Sequence, residues 1–120
     1  MEPLGYELQA LLFRALSHPV RLHILDMLAR QEACVCHLTA VLGKPQPYVS
    51  QQLAVLRDAG LITDRREGTL IYYRVSDERL AGLLADGRVL MVAASGEEAS
   101  FPPLPEAAVA DCPCPRCQAS

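Results

Sequence analysis

Residues 34–61 read Cys34-Val35-Cys36-His37-Leu38-Thr39-Ala40-Val41-Leu42-Gly43-Lys44-Pro45-Gln46-Pro47-Tyr48-Val49-Ser50-Gln51-Gln52-Leu53-Ala54-Val55-Leu56-Arg57-Asp58-Ala59-Gly60-Leu61, and this stretch decides the fold. Val35, Leu38, Val41 and Leu42 recur at helical spacing and predict a short helix over 35–42. Gly43-Lys44-Pro45 is a turn. Val49, Leu53 and Leu56 then form the inner stripe of a second helix over 47–59, which stops at Asp58-Ala59-Gly60 with glycine in its usual C-terminal place. Two helices joined by a short glycine-containing turn fit a helix-turn-helix, whose second helix lies in the DNA major groove with its N-terminal residues at the base edges.

Working outward, Leu61 to Arg66 and Thr69 to Val75 read as two strands around a Glu67-Gly68 turn. Upstream, Leu4, Leu8, Leu11, Leu12 and Ala15 predict a helix over 4–16. Ser17 or His18 can cap the next helix, and Pro19 suits its first turn; Val20, Ile24, Met27 and Leu28 mark the buried stripe, which ends near Arg30. Leu80, Leu83, Leu84 and Met91 predict a last helix over 77–94, interrupted in pattern by Gly82 and Gly87. The expected fold is mainly α with a β-hairpin wing: a winged helix-turn-helix of four helices, two strands and a fifth helix.

From Ser95 onward the pattern collapses. Pro102, Pro103, Pro105, Pro113 and Pro115 oppose regular structure, and Glu97, Glu98, Glu106 and Asp111 favour solvation. The chain therefore divides into a DNA-binding domain over 1–94 and a flexible Pro-rich tail over 95–120 that ends in Cys112, Cys114 and Cys117. The N-terminus lacks a signal-peptide pattern, and the apolar run Val89–Ala94 is too short to span a membrane, so the expectation is a cytoplasmic protein with no membrane partner.

The net charge of −3 looks wrong for a DNA-binding protein, but its distribution is not. Residues 81–120 hold two basic and five acidic groups, which accounts for the whole −3. Within 44–74, Lys44, Arg57, Arg65, Arg66 and Arg74 outnumber Asp58, Asp64 and Glu67. Phosphate binding needs a local basic face rather than a basic protein. The recognition residues are expected at Gln46, Tyr48, Ser50 and Gln51, with Gln52 also off the inner stripe. Gln pairs bidentately with adenine, and Ser or Tyr reaches phosphates or bases. Lys44, Arg57, Arg65, Arg66 and Arg74 would hold the phosphate backbone. The bland alternative is a helical hairpin beside a surface β-hairpin with solvated arginines.

The order of elements resembles the ArsR–SmtB family of winged-helix metal-responsive repressors. The matching residues are Cys34-Val35-Cys36-His37-Leu38, Gln46-Pro47-Tyr48-Val49-Ser50-Gln51-Gln52-Leu53, Leu56-Arg57-Asp58-Ala59-Gly60-Leu61, Asp64-Arg65-Arg66-Glu67-Gly68 and Tyr72-Tyr73-Arg74-Val75-Ser76, within roughly 8–80. The pattern looks closest to the arsenical-resistance repressors. The resemblance implies a non-enzymatic homodimer, joined by its first and last helices and bound to double-stranded operator DNA with an inverted repeat. Two positions depart from the pattern. Pro45 stands where the family usually has a capping hydroxyl, so Gln46 would have to substitute, and Gln51 and Gln52 stand where a basic residue or His is common.

In that family the Cys-X-Cys is a sensing site. On an α-helix residues i and i+2 point about 200° apart and cannot share an ion. Chelation by Cys34 and Cys36 therefore needs this stretch outside the helix, or pulls it out and moves the reading helix packed on it. As(III) or Sb(III) takes two or three thiolates, and Cd(II) or Pb(II) three or four. Arsenic repressors often carry a third cysteine where this chain has Thr39. Cys112, Cys114 and Cys117 are the replacement source, since the linker from Ser95 to Cys112 spans up to roughly 55–60 Å when extended. A separate tail site stays open. His37 is adjacent to the pair, but the ordinary reading is a partly exposed, hydrogen-bonding histidine. The helix over 77–94 holds no histidine, which argues against a zinc site there. The alternative reading is a redox sensor whose thiols form disulfides. A thiol enzyme using Cys114-Pro115-Arg116-Cys117 lacks the strand-to-helix context that activates such a pair.

Overall fold

The computed structural model describes residues 4–102. Eight elements follow in order: α1 (Gly5–Leu16), α2 (Pro19–Arg30), β1 (Ala33–Cys34), α3 (Val35–Leu42), α4 (Gln46–Asp58), β2 (Ile62–Glu67), β3 (Leu70–Val75) and α5 (Arg79–Ser95). His18 is the residue that caps α2, its Nδ1 accepting the Val20 N–H at 3.2 Å, with Pro19 in the first turn. Gly43 closes α3 in the left-handed conformation (φ 63°) and donates its N–H to the Thr39 carbonyl at 2.9 Å.

Three boundaries differ from the sequence reading. The recognition helix begins one residue earlier, at Gln46, because Pro45 already has extended backbone and its carbonyl accepts the first helical bond, from Val49 N–H. The hairpin turn is Gly68-Thr69 rather than Glu67-Gly68: Glu67 pairs with Leu70, and Gly68 takes the positive φ (63°) of the tight loop. The last helix starts at Arg79 rather than 77 and, as expected, runs through Gly82 and Gly87, to Ser95.

The sheet has an extra strand. β1 pairs antiparallel with β3, giving the order β1-β3-β2. Two residues are too few for a period-two pattern, so β1 exists only through its partner. Its two faces differ. Ala33 joins the main core with Ile24, Leu25, Leu38, Val49, Leu53, Leu56, Ile62 and Tyr73. Cys34 lies in a second buried cluster with Tyr72, against which Cys36, Ala40 and Leu70 pack. Leu38, Val49, Leu53 and Leu56 lock α3 onto α4, all essentially inaccessible. Each such side chain contributes about 1.5–3 kcal/mol by burial, so the relative placement of the two helices is tightly held.

The outer helices are different. Of the apolar residues expected to seat α5, only Leu80 is buried; Leu83 and Met91 are exposed, together with Val89, Leu90 and Val92. Leu4, Tyr6, Leu8, Leu11 and Phe13 of the α1 region are exposed as well. Past α5, residues 97–102 have no regular structure, yet Phe101 returns to α5, its ring centroid 3.8 Å from the Arg88 guanidinium, which also pairs with Asp26 of α2. Cys112, Cys114 and Cys117 lie outside the described residues.

Candidate DNA-binding face and thiol site

The outer surface of α4 exposes Gln46, Ser50 and Gln51, with Tyr48 half-buried. Its N-terminus carries no side-chain cap, so Gln46 does not substitute for the missing hydroxyl. Pro47 has no N–H, and the first helical bond comes from Val49, so the Gln46 and Tyr48 amides are left without helical acceptors. Together with the helix dipole they favour an anion such as a DNA phosphate. Gln52 points elsewhere. Its Oε1 accepts from Arg21 NH1 at 3.0 Å, while Arg21 also donates to the Ala15 and Arg14 carbonyls at 2.6 and 3.1 Å. Sequence pattern alone does not separate this inward glutamine from its neighbour Gln51.

The arginines expected on the wing sort by strand alternation. Ile62, Asp64 and Arg66 share the face directed at the helices; Thr63, Arg65 and Glu67 share the other. Arg57 of α4 reaches Asp64 at 3.3 Å, joining the reading helix to the wing. Arg66 is exposed near the tip and makes no ion pair among the described residues; Lys44, in the turn before α4, is likewise exposed. Arg74 is exposed and donates to Thr63 Oγ1 at 3.4 Å. Arg65 is engaged differently. Its Nε donates to Glu32 Oε2 at 2.9 Å, its NH2 pairs with Glu32 Oε1, and its NH1 donates to Glu67 at 2.8 Å. Glu32 first, then Glu67, hold its guanidinium pKa well above the ordinary arginine range.

Cys34 and Cys36 come together at the start of α3 and are joined as a disulfide, with Cα atoms 5.4 Å apart. Of the two expected ways for these side chains to meet, with the stretch outside the helix or pulled from it, the structure shows the first. Cys34 is the extended N-cap residue (φ −82°, ψ 161°) and only Cys36 is helical, so the two side chains converge with the helix intact from Val35. Cys34 is 1% exposed, and its Sγ accepts the His37 N–H at 3.4 Å in place of the usual capping oxygen. Cys36 is half-buried. His37 is buried, at 6% exposure, rather than partly exposed, because it sits on the inner side of the first turn of α3. Among the described residues no three His, Cys, Asp or Glu side chains are grouped to hold a metal. Two sulfurs suit a thiophilic ion; the remaining donors that Cd(II) or Pb(II) requires would have to come from beyond this site.

The chain matches the arsR family of bacterial regulatory proteins over residues 18–64, from the start of α2 into β2. It is 42% identical over 88 residues to the HTH-type transcriptional repressor SmtB of Mycobacterium tuberculosis, an alignment covering 73% of the chain and 62% of that repressor. It is 38% identical over 91 residues to the regulator Rv0081 of the same organism, covering 75% of the chain and 79% of Rv0081. The crystal structure of Rv0081 superposes with a TM-score of 0.72 over 80% of this chain and 96% of that one. The homodimeric winged helix-turn-helix DNA-binding domain Mb0332 of Mycobacterium bovis is 30% identical, with a TM-score of 0.68 over 84% of this chain and all of that domain. No helix among the described residues is long and apolar enough to cross a membrane. On sequence and fold together, the chain belongs to the ArsR family of winged helix-turn-helix regulators.

Proposed function

We propose that the protein is a homodimeric transcriptional repressor that leaves its operator when a thiophilic ion, As(III)/Sb(III) or Cd(II)/Pb(II), is taken up by Cys34 and Cys36. The observation that carries this reading is the convergence of those sulfurs at the root of α3, whose Leu38 packs in the same core as Val49, Leu53 and Leu56 of the reading helix. A ligand there acts where the helix-turn-helix is anchored. Cys112, Cys114 and Cys117 supply further thiolates. Gln46, Tyr48, Ser50 and Gln51 read the groove; Lys44, Arg57, Arg66 and Arg74 hold phosphates. Arg65, already held by Glu32 and Glu67, contributes least to phosphate binding. The exposed apolar faces of α1 and α5 supply the dimer contact, and the domain works as a non-enzymatic cytoplasmic regulator.

The disulfide itself favours a second reading, a thiol redox switch. Two thiols lose two electrons and two protons to a peroxide, which leaves as two waters. Fluorescence anisotropy on promoter DNA distinguishes the readings. Reduced protein is titrated with As(III), Cd(II), Pb(II) and Zn(II), then with peroxide. Release by As(III) or Cd(II) supports ion sensing. Release by peroxide alone transfers the function to redox sensing, and failure to bind DNA at all removes both.

A further inference from the structure

Resting on that reading of the thiol site, we infer that the wing carries the state of the Cys34/Cys36 pair to DNA, with Tyr72 and the Glu32–Arg65 pair as its coupling residues. The register places three residues in one transverse row. Cys34 of β1 is opposite Tyr72 of β3, and Tyr72 is opposite Arg65 of β2. Directly opposed residues of antiparallel strands share a face, so the row runs without a break from the sulfur to the wing strand that lies at the sheet edge. Cys34 and Tyr72 are buried together, apart from the main core. The Arg65 guanidinium lies 4.8 Å from the Tyr72 ring centroid. Glu32, the residue before β1, binds that guanidinium at two positions and so bridges from the β1 side across β3 to β2.

Cys34 is 1% exposed. Close-packed interiors do not absorb a change of volume or direction at one side chain locally. An ion entering between the sulfurs, or their separation on reduction, therefore displaces what packs on Cys34, and Tyr72 is the large side chain buried with it. The α3 helix is already intact from Val35 with the sulfurs joined, so the site does not need to unwind that helix to signal. The second row, Ala33–Tyr73–Asp64, continues into the Asp64–Arg57 ion pair, so the wing's movement also reaches α4.

The test uses the full chain as wild type, Glu32→Ala and Tyr72→Leu. Each is prepared reduced, then either oxidised by a diazenedicarboxamide, which accepts the two electrons and two protons, or loaded with Cd(II). Peptide mass mapping confirms the Cys34–Cys36 link, and the thiolate-to-Cd(II) charge-transfer band confirms loading. Amide hydrogen exchange over 62–75 reads the wing, and anisotropy on a fragment selected in vitro by the reduced protein reads DNA affinity. In wild type, exchange over 70–75 changes at least severalfold between the two thiol states; in both variants this change is lost while the Cd(II) band is retained. Reduced Glu32→Ala binds DNA within about threefold of wild type and loses most of the effector-dependent weakening, which for such couplings is about 5–150-fold. Should Tyr72→Leu unfold, the exposed Glu32–Arg65 contact carries the test alone. Wing exchange that ignores the thiol state in wild type, or responds equally in Glu32→Ala, overturns the inference. A wing that responds while DNA affinity does not overturns the transmission to DNA and also counts against effector-controlled release, whereas DNA release with a silent wing overturns the inference alone.

Discussion

Arg21 of α2 donates a hydrogen bond to Gln52 of α4 at 3.0 Å, and the same guanidinium binds the Ala15 and Arg14 carbonyls at the end of α1. One side chain thus ties the end of α1 to the back of α4. Arg21→Ala is expected to lower stability by about 1.5–3 kcal/mol, the range for charged hydrogen bonds, and to weaken DNA binding although Arg21 faces away from the groove. Arg21→Lys should recover little of either, because an ammonium cannot reproduce the planar fork. Thermal melting alongside anisotropy checks both; wild-type stability in Arg21→Ala would show that the bridge is not structural.

Neighbouring arginines of the wing should behave unlike each other. Arg66 has no ion-pair partner among the described residues, whereas Arg65 is bound by two carboxylates. Arg66→Ala is expected to weaken binding to all DNA sequences alike and to reduce the slope of log K against log salt by about one unit. Arg65→Ala should leave that slope nearly unchanged. Equal slopes for the two variants would contradict this assignment.

Cys34→Ser is expected to fold and bind DNA, because serine is a favoured N-cap and its hydroxyl takes over the His37 N–H; stability should fall by no more than about 1 kcal/mol. Release by ion or oxidant should be lost. A Cys34→Ser protein that still releases normally would locate the sensor elsewhere.

Val89 and Leu90 of α5 are 71% and 69% exposed, more than a helix of a lone domain normally leaves to water. Placing glutamate at both positions should shift sedimentation from dimer to monomer and cost at least about tenfold in operator affinity, with the melting transition of the domain retained. A dimer that survives both charges would move the interface away from this face.

The local pattern of the chain made most of the fold legible. Apolar residues at helical spacing with glycine or proline stops located α1 to α4, and Thr69 to Val75, rich in β-branched and aromatic residues, read as a strand. β1 was not legible, because two residues carry no period and form a strand only by pairing with Tyr72 and Tyr73. The same non-local pairing hid the environment of the thiols. Sequence spacing showed that Cys34 and Cys36 could meet only off a helix, but not that Cys34 would be the cap itself and packed on Tyr72. The division of labour between Arg65 and Arg66 follows from strand register, whereas the capture of Arg65 by Glu32, thirty-three positions earlier, does not. Gln52 and Gln51 look alike in sequence for the same reason: a partner on another helix separates them.

Pro45 and Pro47 flank Gln46 at the entrance to the reading helix. Proline restricts φ in the unfolded chain as much as in the folded one, so this entrance loses little conformational freedom when it takes its final shape. The edge presented to the bases is rigid before any encounter, and binding draws little on the entropy of ordering it. An effector then has nothing to gain by melting that edge; it must tilt or slide an already formed blade, so free and repressing states should differ in helix position while their helical content stays the same.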